Sequence, residues 1–154
     1  VALEDAAFIL RLLNEPSWLA NIGDRGVRST ADAGHYIRET IQAPYETLGF
    51  GLYIVQLKAT GQPIGVCGLL KRDFLPGPDL GFALLPEFVG FGYAAEAARA
   101  VLAHAQRTLG IARLYAIVKR GNQRSERLLG ALGFHHQGPC PIPEGTEVEL
   151  YVTT

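Results

Sequence analysis

Apolar residues recur at Leu3, Ala6, Ala7, Leu10 and Leu13, which is the stripe of one helix face, and Glu15-Pro16 ends the run. A polar, glycine-containing stretch (NIGDRGVRS, 21–29) reads as a loop. Ser29 with Asp32 resembles a capping box, with Asp replacing the usual Glu or Gln, and starts a second helix carrying Tyr36, Ile37 and Ile41 on one face. Ala43-Pro44 closes it. The texture then turns β-branched and aromatic: FGLYIVQLK (50–58) and PIGVCGLL (63–70), split by ATGQ, predict a β-hairpin. KRDFLPGP (71–78) is a loop and DLGFALL (79–85) a third strand, giving an antiparallel meander.

Helical spacing returns at Ala94, Ala97, Ala98, Val101, Leu102, Ala105 and Leu109, with Gly110 where a helix C-cap belongs. LYAIV (114–118) predicts a short buried strand, and 123–132 (QRSERLLGAL) an amphipathic helix ending at Gly133. Phe134 opens another strand, PCPIPEG (139–145) is a loop, and EVELYVT (147–153) alternates as a closing strand. Helix, helix, meander, helix, strand, helix, hairpin is an α+β order with a mixed sheet. No repeat or linker interrupts it, so residues 1–154 are expected to form one domain.

Composition narrows the partners. A net charge of −1 gives no field that draws the chain to nucleic acid or to an anionic membrane. No stretch reaches the ~18–20 apolar residues of a membrane span. The chain begins at Val1 and contains no methionine, so the lack of a leader carries little weight; a cytoplasmic protein is the default expectation. Cys67 and Cys140 have no metal spacing, and Cys67 lies in an apolar run as a buried thiol. The adjacent His135 and His136 point to opposite strand faces, and His35 and His104 sit on expected helices, so no metal site is expected. Lys119, Arg120, Arg124 and Arg127 form a local basic cluster.

The junction LLPEFVGFGYAAEAARAVLAHA (84–105) holds the chemistry. It lacks the Lys-Ser/Thr of a P-loop, having Tyr93-Ala94 instead. Gly90-x-Gly92-x-x-Ala95 superficially fits a dinucleotide fingerprint, but 110–119 holds no carboxylate and a meander precedes it. A helix N-terminus remains, whose unpaired N–H groups and partial positive charge hold an anion without any lysine. Glycines at 90 and 92 would let that backbone approach a phosphate closely. A plain glycine turn into a packing helix stays open from this segment alone.

PEFVGFGYAAEAARAVL, followed some 20 residues later by NQRSERLLGALGF, resembles the GNAT N-acetyltransferase superfamily. LLNEPSWLANIGDRGVRSTADAGHYI is similar to its ribosomal-protein N-terminal acetyltransferase branch. The resemblance implies a mostly antiparallel mixed sheet flanked by helices, with the strand 79–85 splayed from 114–118. It also implies a first strand ahead of Val1, which is missing from this sequence. The family's Q/R-x-x-G-x-G/A signature falls on Glu87 to Gly92, with Glu87 departing from Gln or Arg. Backbone at Val89, Gly90, Phe91, Gly92, Tyr93 and Ala94 would hold the pyrophosphate of acetyl-CoA, and pantetheine would bond to backbone near Phe82 and Leu84. Asn122 and Ser125 match an N-x-x-S in which the Asn orients pantetheine and the Ser sits near the thioester sulfur; simple helix capping is the other reading of both.

The resemblance implies direct acetyl transfer from acetyl-CoA to an amine in a ternary complex, without a metal. Such a reaction needs a general base, a donor to polarise the carbonyl and a donor for the departing thiolate. Asp79 is the first candidate base and Glu46 the second, with Ser125 as the thiolate's donor. Trp18, Tyr45 and Phe50 are candidates for the acceptor pocket. One or two members of the basic cluster would meet the phosphates of CoA. A non-catalytic acyl-CoA-binding module is the alternative, and a homodimer is compatible with the sequence.

Overall fold

The computed structural model describes residues 1–143 and 145–153. Its N-terminal third is helical: α1 (Ala6–Leu13), entered through a 3₁₀ turn at Leu3–Asp5, then α2 (Pro16–Asn21) and α3 (Thr30–Tyr36). Pro16, read as a stop, instead opens α2, because proline's fixed φ and missing N–H suit a first helical turn. Ser29 caps α3 as expected, its hydroxyl accepting from the Asp32 N–H at 3.0 Å. The Asp32 carboxylate accepts from the Arg28 N–H rather than from Ser29. Nor does the helix end at Ala43-Pro44. It widens to a π-helical turn over Ile37–Gln42 and continues as α4 (Ala43–Thr47). Pro44 lacks the N–H that would bond four residues back and its ring would strike that carbonyl; the wider turn accommodates both.

Six strands follow the expected order: β1 (Leu52–Gln56), β2 (Pro63–Leu70), β3 (Asp79–Leu84), β4 (Tyr115–Lys119), β5 (His135–Pro141) and β6 (Glu147–Val152). They form one sheet, β1-β2-β3-β4-β6-β5. Every neighbouring pair is antiparallel except β3 and β4. The loop expected over 139–145 starts later, because Pro139 to Pro141 pair with β6; Glu144 of that loop lies outside the described residues.

Alternation along the strands builds two cores. Val66 and Leu52 face α1–α3 and the π-helical turn, where Ile9, Leu12, Trp18, Ala33 and Ile37 are buried. Cys67, Leu69 and Leu80 face the other way, against α5 (Tyr93–Arg107) and α6 (Gln123–Ala131). The alanines that gave α5 its clean period let it lie close to the sheet, with Ala98 and Ala105 wholly buried. Cys67 is a free thiol that burial pushes up to about 12, which leaves it protonated and inert.

Candidate functional site

β3 and β4 are paired only at Asp79 and Tyr115. The Tyr115 N–H bonds the Pro78 carbonyl at 3.0 Å, and beyond that point the strands diverge. Register decides which backbone groups face the gap. The Leu85 N–H donates to Ile64 on the β2 side at 2.8 Å. Alternation therefore turns Ala83 and Gly81 toward β2, and turns Phe82 and Leu84 toward the space that β4 vacates. These are the two residues expected to offer backbone groups there. The gap opens into a cavity of about 910 Å³.

At the C-terminal end of β3 a 3₁₀ turn (Pro86–Phe88) leads into G-F-G. Gly90 (φ 93°) and Gly92 (φ 84°) both occupy the left-handed region, and a Cβ at either would meet nothing within 4 Å. The glycines thus serve a backbone shape and an open surface rather than tight internal packing. Val89, Gly90, Gly92, Tyr93 and Ala94 line the cavity, with Gly92 as the N-cap residue of α5. Phe91 does not line it, and its side chain is 69% exposed. Glu87 is explained by a partner far along the chain. Arg11 Nη2 donates to both of its carboxylate oxygens at 2.7 and 2.9 Å, which holds the Glu87 carboxyl below its usual range. Its charge is directed to α1, and it is absent from the cavity wall. Lys119 Nζ donates to the Ala20 carbonyl at 2.7 Å, so a second contact joins the N-terminal helices to the splayed strands.

Asn122 and Ser125 stand together on the α6 side of the cavity. Asn122 Oδ1 accepts from the Ser125 N–H at 3.4 Å, so Asn122 acts as a cap, while both residues also line the cavity. The basic cluster divides: Lys119, Arg124 and Arg127 line the cavity, whereas Arg120 donates to Glu149 at 2.9 Å on the far side of β4.

The other end of the cavity is assembled from side chains. Asp79 is 1% exposed and shares the sheet face of Ala83, toward α1–α3. Arg72 Nε donates to its Oδ2 at 3.0 Å, while Oδ1 is buried with no partner among the described residues. Loss of hydration pushes the Asp79 carboxyl up, and Arg72 draws it only partly back. The ion pair alone would argue for a lowered value; with one oxygen unsatisfied in a buried site, desolvation prevails. Trp18 is 7% exposed, and its Nε1 likewise has no partner among the described residues. A buried polar group left unpaired costs about 1–3 kcal/mol, and two such atoms on one cavity are a stability cost that a ligand would relieve. Tyr36, whose hydroxyl is pushed up by burial and lies beside Arg25, completes this wall with Thr40 from the π-helical turn.

Glu46, the second candidate base, is exposed on α4 and does not line the cavity. The helix that carries it runs past Pro44 and turns it outward. Tyr45 donates to the Leu52 carbonyl and Phe50 is buried in the α5 core, so neither lines the cavity. Trp18 alone of the three pocket candidates does. Arg72, Tyr36 and Arg25 were missed: nothing local marks a loop arginine as the partner of a strand carboxylate seven residues later. Among the described residues no group of three or more His, Cys, Asp or Glu is placed to hold a metal, and no helix is long and apolar enough to cross a membrane.

A family model described as the acetyltransferase (GNAT) domain matches residues 1–135. Among solved structures, an acetyltransferase from Agrobacterium tumefaciens str. C58 is similar at a TM-score of 0.83 and 23% identity, covering 100% of this chain and 87% of that one. AAC(6′)-Ib in complex with paromomycin and acetyl-CoA gives 0.80 at 21% identity, covering 100% and 90%. A ribosomal-protein-S5-alanine acetyltransferase from Vibrio fischeri gives 0.79 at 17%, covering 99% and 89%. These identities speak for the fold. An uncharacterized protein of Bacillus subtilis (strain 168), YkkB, is 30% identical over 90 residues, 57% of this chain; the match spans about half (52%) of that relative.

Proposed function

The chain belongs to the acetyltransferase (GNAT) domain family, and on that premise we propose that it moves an acetyl group from acetyl-CoA directly to a primary amine in a ternary complex. The observation that carries this reading is the pairing of a glycine-lined helix N-terminus with a strand edge left unpaired at Phe82 and Leu84, both on one cavity. An anion and an extended amide-bearing chain are the ligand features that those two surfaces suit. The similar AAC(6′)-Ib structure, which holds acetyl-CoA and an amine-bearing antibiotic, supports the choice of donor.

The backbone N–H groups of 90–94 would hold the pyrophosphate, with Lys119, Arg124 and Arg127 near enough to the cavity to meet other phosphate charge. Phe82 and Leu84 would fix pantetheine, and an N–H of that edge would polarise the thioester carbonyl. Asp79 Oδ1, free of a partner, would take the proton that the ammonium must lose before nitrogen can attack. Burial raises the Asp79 carboxyl and so strengthens it as a base. The C–S bond breaks as the C–N bond forms, and the Ser125 hydroxyl would donate to the departing sulfur.

The Asp79–Arg72 pair is the one observation that favours a second reading, acyl-CoA binding without turnover. Thiol release from acetyl-CoA against a panel of primary amines separates the two. Amine-dependent release supports the enzyme; tight CoA binding with no release from any amine supports the binding module.

A further inference from the structure

The charges around the Asp79 end of the cavity are unbalanced. Of the two carboxylates on the wall, Asp79 is paired with Arg72 at 3.0 Å, and Glu15 shares Arg11, at 3.3 Å, with Glu87. Arg25 and Lys71 also line the cavity, and neither forms an ion pair among the described residues. The acid beside Arg25 in sequence is not available to it, because Asp24 bonds the Arg28 guanidinium and the Gly26 N–H. Lys71 Nζ reaches only the carbonyls of Arg72 and Leu75, at 3.2 and 3.4 Å.

These cations are placed away from the phosphate cradle. Lys71 immediately follows β2, on the Asp79 side of β3, and the length of β3 sets that end about 17 Å from the glycine loop. Arg25 and Arg72 both bear on the Tyr36 hydroxyl, which puts all three at the same end. The donor-rich character extends inward to Trp18 Nε1, a buried N–H with no acceptor among the described residues. A ligand that suits this wall brings an ammonium for Asp79 and, on the same molecule, oxygen acceptors with negative charge for Arg25, Lys71 and Trp18.

We propose that the acceptor is a small primary amine that carries its own carboxylate rather than a polycation. The inference rests on the acetyl-transfer reading and names the acceptor class of that same site. A diamine or an aminocyclitol would present a second ammonium to two unmatched cations. The acceptor's second charge is thus read by Arg25 and Lys71, while Asp79 handles only the reacting nitrogen.

The test uses three acceptors of one length that differ only at the far end: 5-aminopentanoate, 5-amino-1-pentanol and 1,5-diaminopentane. With acetyl-CoA, kcat/KM should fall in that order, by about tenfold or more from first to last. Arg25→Glu, on an exposed loop, should flatten or invert the order. A diamine used as well as the amino acid, or an order indifferent to both Arg25→Glu and Lys71→Glu, overturns the proposal. Calorimetric binding of the same three amines in the presence of CoA decides it independently of turnover. Selective binding of 5-aminopentanoate without transfer upholds the acceptor class and removes the enzymatic reading. Transfer to the diamine alone does the reverse, and binding of none of the three overturns the acceptor class.

Discussion

The glycine end of the cavity and its Asp79 end are built from different material. At the first, the groups on offer are main-chain: the turn through Gly90 and Gly92, the start of α5, and the β3 edge at Phe82 and Leu84. At the second they are side chains drawn from α2, the 22–28 loop, α3 and the loop between β2 and β3: Trp18, Arg25, Tyr36, Lys71 and Arg72 around Asp79. A main-chain site needs few particular residues and leaves a short local signature. A side-chain site depends on which distant segments meet, and it is also where one fold can be fitted to a different acceptor. Substitutions at the two ends should therefore fail in different ways.

Gly90→Asp should break the comparison most severely. It forces an L-residue to φ 93° and places a carboxylate on the proposed phosphate cradle, although its Cβ has open space. CoA affinity should drop by roughly a thousandfold by calorimetry, while the fold, read by circular dichroism, persists. Asp79→Asn should lower kcat by about a hundredfold and leave CoA affinity nearly unchanged, the opposite pattern.

The same carboxylate gives a pH signature. Its folded pKa lies above the ordinary 3.8, so the folded chain takes up that proton before the unfolded one does. Stability should then decline as pH rises from the ordinary Asp range through the raised folded value. The difference in Tm between wild type and Asp79→Asn across that window isolates the effect from Asp24, Glu87 and Glu149, which are shifted downward. Activity should climb over the same limb, and the climb should be absent in the variant.

Trp18→Phe keeps an aromatic side chain but deletes part of the indole and with it Nε1, which has no partner among the described residues. Acceptor KM should rise about fivefold and CoA affinity should hold, while Tm should fall only modestly, because removing the unpartnered donor offsets part of the packing lost with the indole. The smallest effect belongs to Arg11→Ala. The Arg11–Glu87 pair is half exposed, so CoA affinity should change less than about twofold and Tm only slightly, in a salt-dependent way.

Most of the fold was legible in the sequence because its elements carry long, consistent periods. α5 was readable from its apolar spacing, the β1–β2 hairpin from its composition, and α3 from the Ser29 cap. Proline misled twice. Pro16 begins α2 and Pro44 is absorbed by a widened turn, since the residue that ends one helix can start or survive in another when the backbone adjusts. The glycine turn into α5, proposed above as the phosphate cradle, was legible because two glycines and a helix start lie within a few residues. The partners of Glu87 and Asp79 were not, because Arg11 lies 76 residues from Glu87 and Arg72 sits in a loop with no period.

Main-chain groups of the β3–β4 gap and the G-F-G turn are the proposed receivers of the cofactor. Amide NMR with and without CoA addresses that most directly. The prediction is that the N–H signals of Phe82, Leu84 and residues 90–94 shift and gain exchange protection, while those on the β1 wall of the neighbouring hollow between β1 and α5, such as Val55 and Leu57, stay unchanged. Protection confined to that hollow, or no response at residues 82, 84 and 90–94 at saturating CoA, would contradict it.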